Sequence, residues 1–149
     1  MNMKWILVAV LIFLGALGGG IYVLSGSGKG AGVEVDWRLL GQMDYLAKKP
    51  STELQQLDGK QVKIPGFMVP LEDNERKVTE FLLVPSPQAC IHVPPPPPNQ
   101  MVYVVMKKGV EAAVGAPIWV YGDLKISTKR SKYGEVSFEL SGDEIEAYR

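Results

Sequence analysis

The sequence predicts a mainly β protein: a small five-stranded OB-like barrel with a short N-terminal helix, preceded by one transmembrane helix or signal segment. Three observations lead there. Beyond Leu57 the apolar residues fall into short β-type runs separated by turn residues. Gly66 and Gly122 interrupt two otherwise regular runs, and a glycine inside a strand marks the point where it can coil tightly enough to serve both sides of a closed sheet. The first 24 residues contain a long run without charge. A β-sandwich or an open sheet is the alternative arrangement.

A chain of 149 residues accommodates one domain, and its 16 Lys+Arg balance 16 Asp+Glu. The charges are interspersed apart from Lys129-Arg130-Ser131-Lys132, which reads as a hairpin tip. A nucleic-acid partner would require a basic excess or stripe, so none is expected.

Residues 1–25 read as an N-terminal membrane anchor or signal segment. No charged residue stands between Trp5 and Leu24, and twenty residues of helix span about 30 Å, the thickness of a bilayer core. Lys4 and the terminal amine precede the run, which places the N-terminus in the cytoplasm and the rest across the membrane. If the segment is cut, at Ala16-Leu17-Gly18 or Ser25-Gly26-Ser27, the remainder is secreted. Either route delivers the domain to the bacterial cell envelope, at the periplasmic face of the inner membrane or free in the periplasm. No cysteine stands directly behind the run, which excludes a lipoprotein.

Residues 26–34 form a flexible Gly/Ser linker, and residues 35–149 are the exported β domain. Trp37, Leu40 and Met43 recur at helical spacing, with Asp36 as a cap, Gly41 as a weak point and Pro50 as a stop. Strands follow at residues 61–71, 78–84, 101–106, 117–126 and 135–140. In the first of these Val62, Ile64, Gly66 and Met68 share one face.

The chemistry concentrates between the second and third strands. Cys90 and His92 are the only cysteine and histidine in the chain, and five prolines, Pro94 to Pro98, brace them by fixing φ and favouring extended backbone. One cysteine excludes an intramolecular disulfide, and an unpaired thiol outside the cytosol needs a reason. In extended backbone residues i and i+2 point to the same side, so thiolate and imidazole converge as a chelate suited to zinc or copper. Two ligands leave a transition metal ion incompletely held. Glu72, Asp73, Glu80, Met68, Met101 and Asn99 are candidates to complete the site, and so is a second copy of the chain, giving a Cys2His2 homodimer.

Packed, structural roles for both side chains are the plain alternative. In that case the prolines serve as a docking face for an envelope protein. A catalytic Cys, His, Asn set with Asn99 is the weaker rival, because the i, i+2 spacing misaligns a thiol–imidazole hydrogen bond and the sequence offers no oxyanion hole. Asn99 and Gln100 are expected to satisfy carbonyls that the prolines leave unpaired. Trp119, Tyr103, Tyr121 and Phe138 read as core or barrel-wall residues.

The stretch Cys90-Ile91-His92-Val93-Pro94-Pro95-Pro96-Pro97-Pro98-Asn99-Gln100, with Gly66-Phe67-Met68-Val69-Pro70-Leu71 and Phe81-Leu82-Leu83-Val84-Pro85 before it, resembles an uncharacterised family of exported bacterial proteins, a domain of unknown function. Its signature is Cys-x-His-x-Pro-Pro-Pro-Pro-x-Asn-Gln, and the resemblance runs from Leu57 to Tyr148. It implies an export signal or anchor ahead of a compact β domain. It also implies an association with metal-transport systems, so a metal transporter is an expected partner. It implies no reaction.

Overall fold

The structure, a computed structural model, describes residues 32–87 and 94–149. The segment of residues 1–25, the linker up to residue 31, and both Cys90 and His92 lie outside the described residues. Among the described residues no helix is long and apolar enough to cross a membrane.

The protein is built on a sheet of six strands with two short helices. In chain order these are β1 (Val33–Glu34), α1 (Trp37–Leu40), α2 (Thr52–Gln55), β2 (Gln61–Pro70), β3 (Val78–Val84), β4 (Val102–Val110), β5 (Pro117–Ser131) and β6 (Gly134–Ala147), with a 3-10 turn at Pro98–Gln100 before β4. The strands are ordered β1-β2-β3-β4-β6-β5, and β2 pairs a second time, with β5. β2 achieves this by dividing its length. Residues 61–67 lie antiparallel to residues 117–123 of β5, and residues 67–70 lie antiparallel to residues 81–84 of β3.

Gly66 sits where one partner gives way to the other. A Cβ there would lie 2.7 Å from the Val84 carbonyl oxygen and 3.0 Å from the Leu83 side chain, so only glycine permits the close approach of β3. Gly122 has the same role on β5, at a register shift: a Cβ would overlap the Ser141 carbonyl and come to 2.9 Å of the Gly142 Cα. Where the sequence suggested tight coiling, both glycines thus mark a close approach of neighbouring strands.

The clean five-stranded barrel does not form. β1 is a sixth strand, parallel to β2 at Val62 and Lys63 on the edge that β3 leaves open. Register shifts interrupt the ladder between Val78 and Glu80, between Tyr121 and Gly122, and between Ile126 and Lys129. β5 and β6 also extend further than their apolar runs, because Lys129, Arg130 and Ser131 pair with Val136, Glu135 and Gly134 into a long hairpin. Val33 and Glu34, assigned to the linker from composition, are the residues of β1.

The single expected helix is likewise replaced by two of one turn each. Asp36 caps α1 by accepting the Leu39 N–H at 2.8 Å, and the helix stops at Gly41. The chain then turns instead of continuing, because the Asp44 carboxylate takes the N–H groups of Leu46 (3.1 Å) and Ala47 (2.9 Å). Ser51 caps α2 in the same manner as Asp36 caps α1.

The alternation of β2, with Val62, Ile64, Gly66 and Met68 buried and their neighbours part-exposed, points one face inward. There it meets Phe81, Leu83, Val104, Val120, Leu124, Phe138 and Leu140, with Leu40 and Leu54 added by the helices. Burying each such side chain contributes roughly 1.5–3 kcal/mol. A second cluster forms on the other face, from Leu82, Val84, Met101, Tyr103 and Val136, with Phe67, Val69, Leu71 and Tyr133 packed around it. It exists because the long β5–β6 hairpin folds over the outer side of β3 and β4. Residues Gly32–Arg149 form one compact unit with these two cores.

Candidate functional site

The Cys-x-His stretch belongs to the connection between β3 and β4, and the structure defines where that connection begins and ends. Leu83 pairs with Val102, so the chain leaves and re-enters the sheet at one place. Val84 on the departing side and Met101 on the returning side are both buried in the outer cluster. The roots of the loop are therefore fixed by packing. Cys90 and His92 themselves are not among the described residues.

On the returning side Pro94, Pro95 and Pro97 are exposed, while Pro96 and Pro98 are half-buried. Pro97 is extended (φ −62°, ψ 157°), and Pro98 opens the 3-10 turn at the first position, where a missing N–H costs nothing. The turn closes with Gln100 N–H donating to the Pro97 carbonyl at 2.9 Å. It packs beside β6 and α1.

Asn99 and Gln100 then join the turn to the N-terminal arm. The Asn99 side-chain amide donates to the carbonyls of Gly41 (3.3 Å) and Met43 (3.1 Å). The Gln100 amide donates to the carbonyls of Trp37 (3.2 Å) and Asn99 (3.0 Å). Of these four acceptors three belong to the arm and none is a proline carbonyl, which corrects the expectation from sequence. The three lie at and just beyond the end of α1: the Trp37 carbonyl, which already accepts the Gly41 N–H at 2.9 Å, takes a second donor, and the Gly41 and Met43 carbonyls follow the helix. Trp37 passes the constraint onward, its indole N–H donating to the Pro65 carbonyl of β2 at 2.6 Å.

The proposed supplementary ligands are dispersed. Met68 is buried in the inner core and Met101 in the outer cluster, so the two thioethers lie in separate apolar clusters. The Glu72 carboxylate is committed to the β2–β3 turn, accepting the Thr79 N–H (2.6 Å) and hydroxyl (2.8 Å) and the Glu80 N–H (3.3 Å). These bonds, led by that of the Thr79 backbone, hold its carboxyl below the usual range. Glu80 accepts the Tyr103 hydroxyl at 2.5 Å. Burial first, and then Glu80, push the Tyr103 phenol up to about 12. Asp73 is exposed in the turn. Among the described residues no group of three or more His, Cys, Asp or Glu side chains could hold a metal ion.

The tip of the β5–β6 hairpin is basic, as its sequence suggested. Lys129 lies 3.9 Å from the Tyr103 ring centre and 3.3 Å from Glu139, and Lys132 donates to the Leu71 carbonyl at 3.3 Å. Tyr103, Tyr121 and Phe138 are buried. Trp119 is only half-buried and stacks outside against Tyr148 at 5.0 Å, with Lys63 4.6 Å from its ring.

One charged cluster had no signal in the sequence. Lys107 meets Asp143 (2.5 Å) and Asp123 (3.3 Å), and Gln61 donates to Asp143 at 2.6 Å. The bulge that pairs Tyr121 with Glu144 and Gly122 with Gly142 leaves Asp143 unpaired in the ladder and free to make these contacts. The Lys107 hydrogen bond lowers the Asp143 carboxyl, and that same bond raises the Lys107 ammonium.

Comparison with known proteins gives the same outline of the fold. Residues 40–147 match the family described as protein of unknown function (DUF3299). The crystal structure of a DUF3299 family protein from Pseudomonas aeruginosa PAO1 is similar at 34% identity and a TM-score of 0.67, covering 80% of this chain and 98% of that one. No curated protein matches.

Proposed function

The chain belongs to the DUF3299 family, and from that premise we propose that it is an exported metal-binding accessory protein, serving zinc or copper delivery or homeostasis through Cys90 and His92. The carrying observation is the double anchorage of their connection. Val84 and Met101 are packed at its roots, and the amides of Asn99 and Gln100 fasten its proline end to the arm. A two-residue chelate costs less entropy to organise when the backbone on either side is already held.

The dispersal of Glu72, Glu80, Met68 and Met101 favours a site completed from outside the protomer. Two copies would supply a Cys2His2 set for zinc; a metal transporter or another envelope protein would supply ligands in a transfer complex. The pairing ring β2-β3-β4-β6-β5-β2 supports an OB-like barrel as the underlying plan. The uncharged run from Trp5 to Leu24 supports a single-pass anchor or a signal segment, with the domain on the periplasmic side.

A docking module of an envelope complex, with Cys90 and His92 packed, is the second reading. The exposure of Pro94, Pro95 and Pro97 favours it, since a bare proline face is a ready contact surface. Titration of the Gly32–Arg149 unit with Zn(II) and with Cu(I), followed by metal analysis, separates the two. Stoichiometric binding that the Cys90→Ser, His92→Ala double variant abolishes is the expected result. Equal binding by parent and variant overturns the metal reading.

A further inference from the structure

Between α1 and α2 the chain makes a rigid turn whose apex carries an apolar side chain pointing away from the protein. Leu46 is 84% exposed, the most exposed of the large hydrophobic residues described. It is not there through slackness. Asp44 and Lys49 exchange backbone hydrogen bonds at 3.0 and 2.9 Å across the base of the turn, and the Asp44 carboxylate holds the N–H groups of Leu46 and Ala47. Lys48 is forced to φ 55°, a left-handed conformation that costs a side-chain-bearing residue about 1 kcal/mol. A turn this strongly specified presents Leu46 outward when an ordinary loop could have folded it down.

The charge around the apex has one predominant sign. Lys48 and Lys49 follow Leu46 after one alanine and are exposed. Lys48 reaches Glu135 at 3.7 Å, which brings the turn alongside the β5–β6 hairpin, where Arg130 and Lys132 are also exposed. Lys48 and Lys49 thus flank the leucine, and Arg130 and Lys132 stand on the hairpin that Lys48 reaches, against Asp44, whose carboxylate faces back into the turn, and Glu135. An apolar tip flanked by cations is complementary to a surface with anionic groups above hydrocarbon.

We propose that this turn is a membrane-contact tip: Leu46 enters the headgroup region of an anionic lipid bilayer while Lys48, Lys49, Arg130 and Lys132 meet lipid phosphates. The inference rests on the reading that the chain is tethered to a membrane by residues 1–25. From Gly26 the linker has few residues before the domain begins at Gly32. At about 3.5 Å per residue a chain of that length reaches at most roughly 20 Å, so a retained anchor would keep the domain near the bilayer. One leucine and a few lysines bind weakly, but tethering raises the local lipid concentration enough for weak contact to orient the domain.

The test uses the untethered Gly32–Arg149 unit, which carries its own cores, so that its outcome does not depend on the anchor or on metal. Co-sedimentation at millimolar lipid and low salt, where a weak contact registers, compares vesicles of equal parts phosphatidylglycerol and phosphatidylcholine with vesicles of phosphatidylcholine alone. Binding to the anionic vesicles only is expected. Leu46→Asp and the Lys48→Glu, Lys49→Glu double variant should each weaken it about tenfold or more. Val114→Asp, at a residue 61% exposed in another turn, should leave it unchanged. Three results overturn the proposal: no preference for anionic vesicles, equal loss with Val114→Asp, or a soluble dimer that Leu46→Asp dissociates, which would assign the tip to a second copy of the chain.

Discussion

Replacing Asn99 with aspartate tests the anchorage of the proline segment more sharply than deleting its side chain. The Asn99 amide nitrogen donates to two carbonyls, those of Gly41 and Met43. In Asn99→Ala both carbonyls lose a partner, but the site is partly exposed and water can replace it. The cost is then about 1–2 kcal/mol. In Asn99→Asp a carboxylate oxygen takes the place of the donor and faces the same two carbonyl oxygens, so acceptor meets acceptor and the cost rises to about 2–4 kcal/mol. For a domain of this size each kcal/mol lowers Tm by about 4 °C. Thermal unfolding should therefore fall by roughly 4–8 °C for alanine and roughly 8–16 °C for aspartate.

The pH dependence has a definite sign. A carboxyl pressed against carbonyls has a folded pKa above its unfolded value of about 3.9. Its protonated form can donate to Gly41 or Met43, so the aspartate variant should regain stability relative to alanine as pH falls through the raised pKa and lose it as pH rises above about 4. An aspartate variant no less stable than the alanine variant at neutral pH would refute the reasoning, because it would mean that the two carbonyl bonds do not hold the segment.

Two further outcomes follow from the sheet. Gly122→Ala should destabilise by about 2–4 kcal/mol in urea unfolding, since the new methyl meets strand backbone that cannot yield. Gly59→Ala, where φ is 76° and the surroundings are open, should cost only about 1 kcal/mol; equal costs would show that β5 and β6 do not approach as described. The Asp143 carboxyl, lowered by Lys107, contributes stability that is present above its unfolded pKa of about 3.9 and lost as pH falls through the lower folded value. Asp143→Asn should flatten the acid limb of the stability curve below about pH 4, and an unchanged limb would exclude that linkage.

Which features were legible from sequence depends on the range of the forces that set them. The inward face of β2 was readable because Val62, Ile64, Gly66 and Met68 repeat with period two, and Gly66 and Gly122 stood out as special positions by breaking strand-like runs, although as points of coiling. The cap by Asp36 and the hairpin turn near Lys132 are likewise local. β1 escaped because two residues carry no period, and its existence depends on an edge of β2 left open by β3. The far half of the β5–β6 hairpin escaped because Lys129 and Arg130 look like turn chemistry until Val136 and Glu135 pair with them. At the candidate site the need of Asn99 and Gln100 for carbonyl partners was legible, but the identity of those partners was not. They lie near residue 40, and nothing local to the prolines indicates them.

The division of β2 between two partners has a consequence in time. Its second half finds β3 almost at once, since Phe67 pairs with Val84, but its first half waits for residues 117–123. From Gln61 to Pro117 the chain grows by 56 residues, about 3–11 s at ordinary rates of synthesis. Throughout that interval the Gln61 half of the strand has one edge without its final neighbour, and a bare edge invites pairing with other chains. β1, already made, can cover only the opposite edge. Closure by β5 is therefore the late event in the life of each new molecule, and its delay is set by all the chain between the two strands, of which the connection that carries Cys90 and His92 is one part.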